Sequence, residues 1–171
     1  MQILKAALQI FCAYYFKLTT FGRVEGSRFL IRSPILVRAK VGSRVRIGDG
    51  THIEPLLRLV AEGDIEIGEN VYIGKNATIV AFSKLSIGAR TLIGENVSIH
   101  TENHGGQGRR MEYSTSPITI GADVWIGAGV VVTAGVTIGD GVTIGANSVV
   151  TKSFGDGVTV AGVPAKIIGS N

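Results

Sequence analysis

From Ile47 to Val150 an aliphatic residue returns every six positions, and in most cases glycine follows it at once: Ile47-Gly48, Ile67-Gly68, Ile73-Gly74, Ile87-Gly88, Ile93-Gly94, Ile120-Gly121, Ile126-Gly127, Ile138-Gly139 and Ile144-Gly145. Ile53, Ile79, Ile99, Val132 and Val150 keep the phase without the glycine. Two places beyond the glycine stand Asn70, Asn76, Asn96, Asp123, Gly129, Gly141 and Asn147. These residue types tolerate a left-handed backbone at small cost, so the chain is predicted to turn a corner about once per hexad. The next position is narrow (Val71, Ala77, Thr91, Val97, Val124, Val130, Val136, Val142, Ser148), which lets it share a cramped interior with the leading aliphatic. Three hexads then close a triangular coil, and coils stacked about 4.8 Å apart pair backbone to backbone as a parallel β-helix. A helical stripe fits poorly, because a strict six and repeated mid-element glycine do not match a 3.6-residue period.

The rhythm is interrupted three times. Residues 59–66 and 80–86 each add a few positions at a coil junction, the size of a corner bulge. The third break is larger: fifteen polar, glycine-rich residues, Gly105 to Thr119, precede the resumption at Ile120, and His104 stands immediately before them. A solenoid gains no stability from such an excursion, so residues 105–119 are expected to carry function. The fold expected is all-β, a β-helix over residues 23–168 preceded by a short helical cap or interfacial segment over 1–22.

Composition narrows the picture. The 171 residues include 24 Gly and only 6% aromatics, which suits an interior too tight for large rings. Cys12 is the single cysteine, so no disulfide framework exists, and a cytoplasmic setting is expected. Charge is lopsided: residues 1–60 hold ten Lys or Arg against Glu25, Asp49 and Glu54, while the remainder is slightly acidic. The apolar run Ile3 to Leu18 is broken by Lys5, Gln9 and Lys17 and is too short to span a bilayer. It reads either as a cap over the open end of the coil or, with the basic stretch through residue 46, as a peripheral contact with anionic lipid at the inner face of the cytoplasmic membrane. Nucleic acid is disfavoured, since the basic residues lack interleaved aromatics.

The run Ile67-Gly68-Glu69-Asn70, the segment Asn96 to His104, Ser116-Pro117-Ile118-Thr119-Ile120-Gly121 with Val124-Trp125-Ile126-Gly127, then Val149-Val150-Thr151-Lys152 and Ala161-Gly162-Val163-Pro164-Ala165-Lys166 resemble the hexapeptide-repeat acetyltransferases. Within them the galactoside, maltose and polysaccharide O-acetyltransferase branch is the best match, over roughly residues 65–168. The resemblance implies a left-handed parallel β-helix, an exception to the usual right-handed crossover. It also implies a homotrimer, with acetyl-CoA bound as acetyl donor in clefts between subunits and no metal required. Residues 1–60 match that branch poorly, which favours a saccharide acceptor in surface polysaccharide biosynthesis.

The resemblance implies His104 as the catalytic base. The chemistry agrees: an alcohol is scarcely ionised at neutral pH, and imidazole, with a reference pKa of about 6.5, is suited to take its proton. For the donor, Trp125 corresponds to a tryptophan near the pantetheine arm, Ala128 and Ala146 to coil positions that the arm passes closely, and Thr151, Lys152 and Lys166 to the phosphate end. Acceptor candidates are Tyr72, Gly74 and Asn76, where the galactoside enzymes place a sugar-binding Asn, together with His100, Glu102, Arg109 and Arg110. Glu102 is a candidate to orient His104. His52 reads as surface. Two other classes are open: a zinc enzyme like the γ-type carbonic anhydrases, using His52, His100 and His104, and a non-catalytic trimeric scaffold.

Overall fold

A computed structural model of the protein describes residues 23–26, 28–32, 35–104 and 113–170, with the side chains of residues 23, 24, 104 and 113 outside that description. The expected segment 1–22 also lies outside the described residues. Those described form a left-handed parallel β-solenoid with three faces. The first face stacks Arg23–Glu25, Arg44–Ile47, Ile65–Ile67, Leu85–Ile87, Ile118–Ile120 and Thr137–Ile138. The second stacks Leu30–Ile31, His52–Ile53, Tyr72–Ile73, Leu92–Ile93, Trp125–Ile126, Thr143–Ile144 and Val158–Gly162, and ends in the antiparallel strand Ala165–Ser170. The third stacks Leu36–Ala39, Arg58–Ala61, Thr78–Ala81, Ser98–His100, Val131–Val132 and Val149–Val150.

Hexad aliphatics fill the interior in columns. Ile53, Ile73, Ile93, Ile126 and Ile144 lie in register along the second face, and Leu59, Ile79, Ile99, Val132 and Val150 along the third, all essentially inaccessible. Each such side chain contributes about 1.5–3 kcal/mol by leaving water. The seven corner residues expected to be left-handed are so, from Asn70 at φ 55° to Gly129 at 72°. Leu56 and Arg90 join them, at 69° and 58°. Arg90 stacks over the next corner and donates from Nε and Nη2 to the Asp123 carboxylate at 2.7 and 2.6 Å. That hydrogen bond first, and the guanidinium charge with it, holds the Asp123 carboxyl below the ordinary aspartate range.

Corner glycines have a steric reason as well. A Cβ added to Gly127 would lie 2.7 Å from the backbone nitrogen of Ala146 in the coil above, with no flexible atom to yield. Gly127→Ala is therefore expected to lower the denaturation free energy by about 1–3 kcal/mol. Gly155→Ala, where a Cβ meets nothing within 4 Å, should be near neutral in the same urea titration.

Both ends depart from the hexad rhythm. A full coil over residues 23–39 precedes Ile47 without any Ile-Gly pair. At the other end the Ser148 hydroxyl donates to the Gly145 carbonyl at 2.6 Å and accepts from the Gly162 amide at 3.0 Å, tying the final hairpin to the last coil. Junction bulges lengthen the early coils: Ile73 pairs with Ile93, twenty residues on, whereas Ile126 pairs with Ile144, eighteen on. Four of the ten basic residues of the front end are paired between coils, through Arg28–Asp49 at 2.9 Å, Arg46–Glu25 at 2.8 Å, Lys40–Glu62 at 3.6 Å and Arg32–Glu54 at 3.7 Å.

Candidate active site

The large excursion leaves from the end of the third face. Along Ser98–His100, Ile99 pairs with Ile79 and points inward, while His100 pairs with Val80 and takes the outward parity. Thr101 turns inward again and is wholly buried. Its hydroxyl accepts from the Phe82 and Ser83 amides at 2.8 and 3.0 Å, and its carbonyl accepts from the Ser116 amide at 2.9 Å as the chain returns. One threonine thus holds both the corner below and the returning strand.

Between those points the chain forms an antiparallel hairpin, Glu102–His104 against Tyr113–Thr115, with His104 opposite Tyr113. The expected loop boundaries tighten accordingly: His104 belongs to the excursion, and the coil resumes at Ile118, in register with Leu85, rather than at Ile120. Arg109 and Arg110 lie outside the described residues.

Glu102, a candidate to orient His104, has His100 as its described partner. His100 Nδ1 lies 2.9 Å from Glu102 Oε1, with the two side chains 35% and 13% exposed. The other oxygen, Oε2, is buried and meets no hydrogen-bond donor among the described residues. Sequence spacing could not separate the alternatives, because Glu102 stands two residues from each histidine.

The donor candidates gather along the second face and the corner that leads to the third. Trp125, 59% exposed, belongs to the outward column that rises from His52 through Tyr72 and Leu92 and continues to Thr143. Ala128 and Ala146 are exposed on that corner in consecutive coils, where Gly94 backs onto Ala128 and Gly127 onto Ala146. Lys166 stands exposed on the final strand, opposite Ala161. Thr151 and Lys152 are exposed just past the last strand of the third face, with the Lys152 ammonium 5.7 Å from the centre of the Phe154 ring. From Trp125 to Lys166 the line climbs three strand spacings, about 14 Å.

Acceptor candidates sit lower. Gly74 is buried and backed onto Gly94, so among Tyr72, Gly74 and Asn76 only Tyr72 and Asn76 present side chains outward. The Asn76 amide donates to Asn96 Oδ1 at 2.8 Å, a contact that links two corners. His52 proves more than surface: it is half-buried, tilted against the Tyr72 ring at 5.6 Å, with Nε2 3.2 Å from Glu54. His52 and His100 lie on different faces, and no trio of metal-ligating side chains occurs among the described residues.

Two family descriptions match the chain: "Bacterial transferase hexapeptide (six repeats)" over residues 117–152, and "Hexapeptide repeat of succinyl-transferase" over residues 64–82. Over these stretches the chain carries the repeats of the hexapeptide-repeat transferases. No curated protein sequence matches it. Solved structures of the family do. A galactoside acetyltransferase in complex with coenzyme A is 32% identical, with 90% of this chain and 66% of that one covered and a TM-score of 0.64. A hexapeptide-repeat-containing acetyltransferase from Vibrio cholerae O1 biovar eltor, complexed with acetyl coenzyme A, is 28% identical over 99% of this chain and 78% of its own, TM-score 0.62. An N-acyltransferase from Bacillus cereus, in complex with dTDP and 3-hydroxybutyryl-CoA, superposes with a TM-score of 0.79 over 93% and 87% of the two chains; at 21% identity this is a likeness of fold.

Proposed function

We propose that the protein is an acetyl-CoA-dependent O-acetyltransferase that acts on a hydroxyl of a saccharide during surface polysaccharide assembly, as a homotrimer at the inner face of the cytoplasmic membrane. The observation that carries this reading is the single large excursion of an otherwise regular coil, which bears His104 on a hairpin anchored by Thr101. Support for the donor comes from the exposed line of Trp125, Ala128 and Ala146 and from the coenzyme A held by the galactoside enzyme. A thioester arm needs close passage along backbone, which small corner residues allow, and exposed Lys152 and Lys166 suit the phosphates beyond it. The apolar outward column of Tyr72, Leu92 and Trp125 suits burial against a second subunit.

His104 takes the proton of the acceptor hydroxyl as its oxygen attacks the thioester carbonyl. The new C–O bond forms, a tetrahedral intermediate collapses with cleavage of the C–S bond, and the departing thiolate recovers the proton from the imidazolium. No acetyl-enzyme is required. Backbone amides of the glycine-rich corners are suited to hold the oxyanion.

The test is thiol release from acetyl-CoA across a panel of sugars, nucleotide sugars and their amino counterparts. Release with hydroxyl acceptors is expected. Release confined to amino sugars would make the enzyme an N-acetyltransferase, and failure to bind coenzyme A at all would leave a scaffold.

A further inference from the structure

Of the histidines whose side chains are described, His100 is the one held like a working base. A carboxylate only accepts hydrogen bonds, so at 2.9 Å from Glu102 Oε1 the proton must sit on His100 Nδ1. In the neutral ring this leaves a lone pair on Nε2, which takes no hydrogen bond among the described residues. The pairing is poorly explained by stability. Glu102 is 13% exposed and its Oε2 is sealed from solvent without a described donor, an arrangement that costs free energy and recurs where a group has a chemical task. Its place matters too. His100 stands outward at the root of the hairpin that carries His104, four residues away, which bounds the two Cα atoms to within about 13 Å of each other, less by the bend at Thr101.

We propose that His100, fixed in its Nδ1–H form by Glu102, is a specificity-determining residue whose Nε2 accepts a hydrogen bond from a second hydroxyl of the acceptor while His104 acts on the first. The acceptor class that follows is a polyhydroxylated sugar read at two oxygens, not a simple alcohol. The proposal rests on the O-acetyltransferase reading and adds to it the residue that chooses which hydroxyl is presented.

His100→Asn separates this role from a structural one, because the asparagine amide can still donate to Glu102 but nothing remains at the Nε2 position. With the methyl glycoside that gives the fastest thiol release and its monodeoxy derivatives, wild type should lose about tenfold to a hundredfold in kcat/KM for the one derivative that lacks the partner hydroxyl. H100N should show the same loss toward the parent sugar, no further loss toward that derivative, and an unchanged KM for acetyl-CoA. Nitrogen-15 spectra of the wild-type protein should show His100 as the Nδ1–H tautomer, and E102Q should redistribute it. An H100N enzyme that treats the parent sugar as wild type does, or an Nε2–H tautomer in wild type, overturns the role of His100 alone. A wild-type protein that binds coenzyme A yet releases thiol with no sugar overturns the function and the role together.

Discussion

His104→Ala is expected to lower turnover by about two to four orders of magnitude, the range that separates a positioned general base from its absence. Coenzyme A affinity and far-UV circular dichroism should be retained. The hairpin that carries residue 104 is held by main-chain pairing with Tyr113–Thr115 and by the anchor at Thr101, neither of which needs an imidazole. The donor candidates Trp125, Ala128 and Ala146 belong to later coils, so the mutation should not reach them. The measurement is a thiol-release progress curve at saturating acetyl-CoA, beside calorimetric titration with coenzyme A. Undiminished turnover would remove His104 from its role.

Thr101→Val should have the largest effect on stability, about 2–4 kcal/mol, although it keeps the shape of the side chain. The residue is wholly buried, and its hydroxyl is the acceptor for two successive amides, those of Phe82 and Ser83. Without that oxygen, two part-buried main-chain donors lose a partner, at up to about 1–3 kcal/mol each before any relaxation. Because the same residue receives the returning Ser116 amide, the root of the hairpin should loosen as well. A lower urea midpoint accompanied by a raised acceptor KM is the expected pair of results. A loss of stability without any kinetic change would mean that the anchor and the site are independent.

The regular part of the molecule was legible because each hexad position has one physical task. An aliphatic must fill the column, a narrow residue must pass beside it, and the corner must tolerate positive φ. Asn70, Asn76, Asn96, Asp123 and Asn147 announce those corners by type, whereas Arg90 and Leu56 adopt the same conformation without announcing it. In the case of Arg90 the compensation is an ion pair to Asp123 in another coil, which no local pattern reveals. The coil over residues 23–39 falls inside the expected span 23–168, although its strands Leu30–Ile31 and Leu36–Ala39 carry the aliphatics but none of the glycines that mark the rhythm. Within the site, the excursion was visible as a broken count. The pairing of Glu102 with His100 was not, since Glu102 stands two residues from each histidine and spacing alone favours neither.

Since Leu85 pairs directly with Ile118 across the break, the solenoid closes over the gap as if the intervening residues were not there. Among the described residues the hairpin is tied to the stack at Thr101, so its length and lettering can drift while the stack beneath stays intact. A scaffold built this way can exchange one customer for another by rewriting a dozen or so letters in a single place.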